Sequence, residues 1–442
     1  MDRVWKTFRA GTGGDLLPGA AEWGRVHFDT YCLLNGNGFS SDKYTTFDKI
    51  IALGAADQCY GDEHQAFAAL RAFSDRYEDW LFGFFSYDLK NQLEKLHSAH
   101  FDGIGMPLMH FFRPVIVLIP ENDTLRIGCL PGYGKLSDPD FVCREILARA
   151  DVFSGSPGTT DKAEIPEIRQ RVSRASYLQH VRDIKAHIQQ GDIYEMNYCV
   201  EFFSEAVRTD PLRTYTRLNK LSPTPFSCHY ALDQRFLMCA SPERFLKKTG
   251  DRIVSQPIKG TIARGSDPES DARLASQLLN DQKERSENVM IVDLVRNDLS
   301  RTARKGSVRV EELFGIYPFR QVHQMISTVA SSLHPDCHLT DAIRLAFPMG
   351  SMTGAPKVRA MQLIEQHEDT RRGLYSGAVG YISPSKDFDF NVVIRSILYN
   401  GLTGYLSFMA GSAITSGSVP EKEYEECLLK AAAMRAALAW NL

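Results

Sequence analysis

Two pairs of glutamates stand three residues apart, Glu284 with Glu287 and Glu423 with Glu426. On a helix that spacing puts both carboxylates of a pair on one face. Hard oxygen donors from two helices, with no histidine or cysteine cluster beside them, form the set that Mg²⁺ prefers, with water and substrate oxygens completing its octahedron. A plainer reading stays open, because glutamates at this spacing are common on solvated faces and Glu284 could simply complete a capping box with Asp281. Two small-residue segments point to anion binding. GSMTGAPK, from Gly350 to Lys357, reads as a glycine-interrupted turn running into a helix with Pro356 at its first position, and free amides at a helix start attract anions. AGSA, from Ala410 to Ala413, reads as a second turn with amides of the same kind; either segment could equally be a structural turn. Lys259 lies between apolar neighbours in SQPIKGTIARG. A lysine that is desolvated or set near another cation loses its proton easily enough to serve as a nucleophile, whereas a lone lysine ordinarily sits in solvent. His323, in RQVHQMIS, is open to two readings, a partly buried structural histidine or a proton-transfer group.

These residues need elements to carry them to one place. Ser176 can cap a helix whose apolar residues Leu178, Val181, Ile184 and Ile188 recur at helical period, and Gly191 stands where a left-handed C-terminal residue belongs. From Ile193 to Phe203 the pattern alternates, so Glu195, Asn197 and Glu201 share one face of a strand. Further strands are expected at Arg235 to Cys239, Leu374 to Ser383, Phe390 to Tyr399 and Leu402 to Ala410, and helices near 269–280, 281–299, 339–346, 356–367 and 420–440. Before these, YCLLNG, WLFGFFSYDL and PVIVLIP read as strands and Asp62 to Tyr77 as a helix. The segment Phe153 to Pro166 concentrates Gly, Ser, Thr, Pro and charge and marks a boundary. The expected organisation is an N-terminal region 1–152, a linker 153–166 and a second region 167–442, in an α+β fold.

Composition excludes several classes of function. With 442 residues, 51 basic and 54 acidic side chains and a net charge of −3, the chain can build a sizeable core but carries no polybasic footprint for nucleic acid or a membrane surface. Its longest apolar run, Val115 to Ile119 between two prolines, is far short of the roughly 20 residues that span a bilayer. The start of the chain has no apolar signal segment, so the expected location is the cytoplasm. Nine scattered cysteines with no CxxC pair suit reduced thiols.

In order along the chain, GDIYEMN, SPERFL, PIKGT, KERSENVMIVDLVRNDL, VHQMIS, GSMTGAPK, RRGLYSGAVGY, VVIRS and PEKEYEE resemble the motifs of the chorismate-utilising enzymes. The resemblance covers essentially all of 166–442, and more weakly the first 150 residues. It implies the chorismate-binding fold of anthranilate synthases, with β-sheets packed in a sandwich and helices outside. Members that form aminodeoxychorismate carry lysine at the position of Lys259, where those that form anthranilate typically have alanine. The implied activity is therefore a Mg²⁺-dependent, ammonia-using conversion of chorismate to 4-amino-4-deoxychorismate, precursor of para-aminobenzoate and folate. An anthranilate-forming component and a catalytically silent chorismate-binding subunit are the alternatives.

Matched motif by motif, the resemblance makes Glu243 the acid that protonates the departing C4 hydroxyl, Lys259 the nucleophile at C2 and His323 the histidine beside the ring. Glu287 and Glu426 become the principal Mg²⁺ ligands, with Glu284 and Glu423 acting through water. Thr353, Gly354, Tyr375, Arg395, Lys430 and the amides of Gly411, Ser412 and Ala413 would hold the two carboxylates of chorismate. A nucleophilic Lys259 must be substantially neutral, and burial near Pro257 and Ile258 with Mg²⁺ close by is expected to depress its pKa. Two positions depart from the family pattern: Glu195, where ammonia-using members usually have glutamine, and Ala413, where glycine is common. Glu195 could orient ammonia or take a proton from its addition. The chain has no G-x-C-x-G nucleophile turn, so its ammonia is expected from a separate glutamine amidotransferase subunit.

Overall fold

The computed structural model describes residues 2–9, 16–39, 41–62, 64–155 and 167–439. Period-two alternation organises the strands. In Leu81–Phe85, Leu81 and Phe85 join one hydrophobic core while Phe82 and Phe84 join another. Arg235–Ser241 likewise sends Met238 and Ala240 to one core and Leu237 and Cys239 to a different one. Strands that are apolar on both faces need cover on both. The result is two sheet layers packed face to face with helices on each outer surface, the α+β sandwich expected from the sequence.

One layer runs, in order of pairing, through Val4–Arg9, Thr124–Cys129, Met109–Glu121, Lys49–Tyr60, Thr30–Asn35, Phe226–Leu232, Arg235–Ser241, Ser396–Asn400, Tyr405–Ile414 and Glu195–Ser204. The other runs through Leu81–Phe85, Ala378–Ile382, Phe388–Asn391, Arg244–Thr249, Arg252–Gln256 and Val322–Ser332, the last also pairing with Ile258–Ala263 and Arg309–Pro318. Met109–Glu121 joins them, because its first half also pairs with Leu81–Phe85. Between the layers aromatic rings interlock, as where Phe84 meets Tyr230 edge-on at 5.1 Å. Helices Leu16–His27, Pro139–Gly155, Pro211–Leu221 and Pro420–Ala439 cover the first layer, and Ala66–Arg76, Gln282–Ser300 and Leu339–Ala346 the second.

The division at residue 152 is one of sequence and not of space. Thr30–Asn35 pairs with Phe226–Leu232, and Leu81–Phe85 with Ala378–Ile382, so strands of the N-terminal region are inserted in both layers. The expected linker begins inside a helix that continues to Gly155, and its remainder, 156–166, lies outside the described residues. Other boundaries also move. The helix Arg174–Gln189 is capped by Ser173, whose side chain accepts from the Ser176 N–H. The run expected as one strand from Phe390 to Tyr399 is two strands in different layers, because Val392 and Val393 bond to the Glu243 and Gly377 carbonyls and Arg395 adopts a φ of 51°. AGSA is no turn: Gly411, Ser412 and Ala413 lie in strand Tyr405–Ile414, opposite Cys199, Tyr198 and Asn197. Small residues suit this stretch because a Cβ at Gly411 would come within 2.1 Å of the Tyr198 carbonyl oxygen. All nine cysteines are free, and no helix among the described residues is long and apolar enough to cross a membrane.

Phe82→Ala removes a fully buried side chain from between the layers. It is expected to cost about 3–5 kcal/mol and to shift one cooperative urea transition, with tryptophan fluorescence and far-UV CD moving together. Fluorescence reports largely on Trp5, Trp23 and Trp80, so two separated transitions would show an N-terminal region that folds by itself.

Candidate active site

Two passages of the chain between the layers frame the site. Arg235–Ser241 lies in one layer and Arg244–Thr249 in the other, with Glu243 at the passage. Phe388–Asn391 and Ser396–Asn400 make the return, with Arg395 at the passage. The Val392 N–H donates to the Glu243 carbonyl at 3.0 Å and ties the two together. The Glu243 carboxylate accepts from Ser351 Oγ at 2.6 Å. Ser351 belongs to the short turn Gly350–Met352, which strand Glu195–Ser204 holds through Asn197. Asn197 donates from its side chain to the Ser351 carbonyl at 2.7 Å, and from its backbone to the Thr353 carbonyl at 2.8 Å. Gly354 then passes so close to the strand that a Cβ would lie 2.1 Å from the Glu195 carbonyl oxygen. Pro356 is the cap of helix Lys357–His367 and not its first residue.

Lys259 is brought in by an irregular strand. The pairing of Ile258–Ala263 with Val322–Ser332 slips between Ile258 and Thr261, and such bulges re-aim side chains. Lys259 Nζ donates to Glu195 Oε1 at 2.6 Å, with both side chains buried. The expectation of a depressed lysine is not met. Burial pushes the Lys259 pKa down, but Glu195, Glu287 and Glu243 together hold it above the ordinary lysine value, because charge attraction is strong where water is excluded. Glu243 moves up to about 7, driven by burial and opposed by its bond from Ser351 and by Lys259. His323, also buried, has Nε2 at 2.9 Å from Asp271 Oδ1 and leaves Nδ1 without a hydrogen-bond partner. Tyr375 places its hydroxyl 3.6 Å from Cys199 Sγ. Burial lowers the Arg395 pKa, against the pull of Tyr375 and Glu426.

The four glutamates of the two helices come together through a lysine. Lys283 Nζ lies 3.7 Å from Glu287 Oε1 and 3.6 Å from Glu423 Oε1. Asp281 caps the first of these helices by accepting from the Glu284 N–H. Glu426 pairs with Lys430 at 2.7 Å; the lysine also donates to the Gly411 carbonyl at 2.9 Å. Burial raises Glu284, and raises Glu287 to about 7; burial also pushes Glu426 up, but Lys430, Lys283 and Lys259 together hold it below the ordinary value. Among the described residues no three acidic, histidine or cysteine side chains close on one point as a finished metal cage. A hard cation nonetheless fits the donor set: Glu287 Oε1 and Glu423 Oε2 are buried with no hydrogen-bond partner, and such unsatisfied oxygens suit a cation that keeps water and substrate ligands.

Several residues that hold this arrangement were not singled out from the sequence. Arg372 binds Glu368 through two bonds of 2.8 and 2.6 Å, and donates to the Met352 carbonyl at 2.7 Å and the Asn197 carbonyl at 3.0 Å. Lys357 donates to Asp298 at 2.7 Å and so joins its helix to Gln282–Ser300. Arg372 and Lys357 stand inside the RRGLYSG and GSMTGAPK motifs, and those motifs were the only signal for them.

Over residues 30–436 the chain matches the family described as chorismate binding enzyme, and it belongs to that family. Its relatives include aminodeoxychorismate synthase component 1 of Klebsiella aerogenes, 42% identical over 344 residues, covering 78% of this chain and 74% of that protein. Anthranilate synthase component 1 of Thermus thermophilus is 35% identical over 356 residues, covering 80% of this chain and 76% of that one. Among solved structures, anthranilate synthase component I from Streptococcus pneumoniae superposes with a TM-score of 0.71 at 23% identity, over 98% of this chain and 92% of that one. The menaquinone-specific isochorismate synthase of Escherichia coli gives 0.77 at 18%, over 99% and 94%. These structural likenesses define the fold.

The raised pKa of Glu243 has a consequence for stability. The native state binds this proton more tightly than the unfolded chain, so the contribution is complete below about 4.5 and is lost as pH rises toward 7. The loss is up to about 3 kcal/mol. Urea midpoints measured across this window should therefore fall less with pH in Glu243→Gln than in the parent; equal slopes would mean that Glu243 titrates normally.

Proposed function

We propose that this chain is an aminodeoxychorismate synthase component 1, replacing the C4 hydroxyl of chorismate with an amine supplied as ammonia. The observation that carries the reading is a buried Lys259 set among Glu195, Glu243 and Glu287. In this reading Lys259 adds at C2 while Glu243, kept partly protonated near neutral pH by burial, gives its proton to the departing hydroxyl. Ammonia then attacks C4 and the lysine is expelled, so one difficult substitution becomes two allylic ones. Arg395, Lys430, Tyr375, Thr353 and Gly354 hold the two carboxylates. The edge of strand Tyr405–Ile414 at Gly411, Ser412 and Ala413 assists them, since its pairing with Ser396–Asn400 ends at Phe408. His323 lies beside the ring.

Charge balance supports a cation. The site gathers six carboxylates, Glu195, Glu243, Glu284, Glu287, Glu423 and Glu426, against four basic groups, Lys259, Lys283, Arg395 and Lys430. That is an excess of two negative charges, if all are ionised, in front of a dianionic substrate. Glu287 and Glu426 would bind Mg²⁺ directly, with Glu284 and Glu423 acting through water, and the ion would neutralise the ring carboxylate and ease loss of the hydroxyl. A separate glutamine amidotransferase subunit would supply the ammonia. The relative from Thermus thermophilus supports a second reading, anthranilate formation.

Incubation of the purified chain with chorismate, Mg²⁺ and ammonium is expected to give aminodeoxychorismate. Glutamine should replace ammonium only when an amidotransferase subunit is added. Anthranilate as product would transfer the chain to the second reading, and no product would leave a silent binding subunit.

Glu287→Gln and Glu426→Gln each remove a hard anionic donor and preserve volume, so turnover is expected to fall at least about 100-fold with the CD spectrum unchanged. Unchanged turnover at limiting Mg²⁺ would remove that residue from the metal site.

A further inference from the structure

The bond from Lys259 Nζ to Glu195 Oε1 is 2.6 Å long with both side chains buried. An amine that adds to C2 must first lose a proton, and a carboxylate placed at hydrogen-bond distance is positioned to receive it. The other acidic groups around Lys259 are committed elsewhere. Glu243 accepts from Ser351 and serves the departing hydroxyl. Glu284, Glu287 and Glu426 form the oxygen donor set on the two facing helices, with Lys430 paired to Glu426. Glu195 Oε2 is buried and has no hydrogen-bond partner, so the carboxyl group can hold a proton on either oxygen without breaking another contact. Glu195 is also held in place, because Gly354 passes within van der Waals distance of its backbone.

We propose, on the functional reading above, that Glu195 is the proton acceptor of Lys259: it orients the ammonium in the resting enzyme, takes its proton as the amine adds, and returns it when the lysine leaves. Lys259–NH₃⁺ and the Glu195 carboxylate become a neutral amine and a carboxylic acid. The nitrogen lone pair forms the N–C2 bond, the two ring π bonds shift toward C4, and the C4–O bond breaks with its electron pair leaving on oxygen, which takes the Glu243 proton and departs as water. Lys259 is then a secondary ammonium. Neutral ammonia forms the N–C4 bond, the π bonds shift back, and the N–C2 electron pair returns to Lys259 as a neutral amine. Glu195 reprotonates that amine and Glu243 is reprotonated from solvent. Two carboxyl groups thus work in opposite senses, Glu243 entering as acid and Glu195 as base. Glu195 acts on the reaction through Lys259, which makes it a positioning and proton-exchanging residue.

Glu195→Gln is the decisive variant, because it keeps the volume and can still orient the lysine but cannot accept a proton. Without substrate, competitive acetylation of Lys259 followed by mass spectrometry should give a titration midpoint about 1–3 pH units lower in Glu195→Gln than in the parent. With chorismate and Mg²⁺ but no ammonia, the rate of adduct formation on Lys259 should fall between about pH 6.5 and 8.5 in the parent, following loss of the Glu243 proton. In Glu195→Gln the rate relative to the parent should rise about tenfold per pH unit, since the proton must now go to solvent, and the fall seen in the parent should be cancelled. Glu195→Ala should regain adduct formation with added formate, while a merely structural loss would not respond. Equal lysine midpoints, or equal pH profiles in parent and Glu195→Gln, would overturn the proposal. Absence of both product and adduct in the parent would instead overturn the functional reading, with the acetylation midpoints still deciding whether Glu195 governs the lysine.

Discussion

A protonated lysine buried between two sheets is the constraint on which the rest of the site depends. Removing an ammonium from water costs several kcal/mol unless an opposite charge is fixed beside it, and Glu195 supplies that charge at 2.6 Å. One carboxylate does not end the matter. Glu287 and Glu243 also pull on Lys259, and burial shifts both of these carboxylates upward to about 7. In the proposed reaction each upward shift makes a group chemically useful, as a proton donor in Glu243 or as a donor oxygen in want of a cation in Glu287. In the proposed reaction, the lysine that loses its proton and the acid that gives one are therefore set by the same exclusion of water.

Such exclusion persists only on a rigid support, because a site that relaxed would solvate its carboxylates and lose the shifts. The support is a second buried pair. Arg372 and Glu368 bind each other through two bonds, and from there reach the Met352 and Asn197 carbonyls and the Cys199 N–H. They thereby pin the turn that carries Ser351 to the strand that carries Glu195. A planar guanidinium can satisfy a carboxylate and two carbonyls together, which a lysine cannot. The catalytic-side charges are held by single bonds that can rearrange, and the supporting charges by a fork that cannot.

The sequence disclosed the parts of this site better than their relation. Most helices and some strands from Ile193 onward were legible because their apolar periods are long and regular, as in Glu195–Ser204 and Gln282–Ser300, whereas helix Pro211–Leu221 and strands such as Phe226–Leu232, Ile258–Ala263 and Val322–Ser332 were not. The passage at Val392 to Arg395 was not, since an apolar run looks the same whether it stays in one sheet or changes sheets. AGSA suggested a turn through its small residues, whereas their smallness reflects close approach to Tyr198 and Cys199 across the ladder. Nor could composition reveal that Thr30–Asn35 and Leu81–Phe85 are threaded into layers built mainly by later residues, because strand pairing is non-local. The residues of the site were legible through the motifs that contain them. Their charge states were not, as the misjudged Lys259 makes plain: a lysine flanked by Pro257 and Ile258 looks desolvated, and only the fold supplies Glu195 from 64 residues away.

That pairing alters the meaning of the substitution at position 195. A glutamine there can orient an amine, but a glutamate adds a charge that must be balanced in every state of the site. While Lys259 is a free ammonium, the pair is neutral in sum and stable in a dry environment. In the proposed adduct Lys259 is a secondary ammonium, so a protonated Glu195 leaves the pair with one net positive charge, which offsets the surplus of carboxylates around a dianionic substrate. Glu195 therefore keeps the proton that Lys259 gave up until the lysine leaves and takes it back. Burial of Glu195, its unpartnered second oxygen and its direct bond to Lys259 thus fit one physical requirement: the lysine and the glutamate exchange a single proton while the net charge of the pair in the resting enzyme stays at zero.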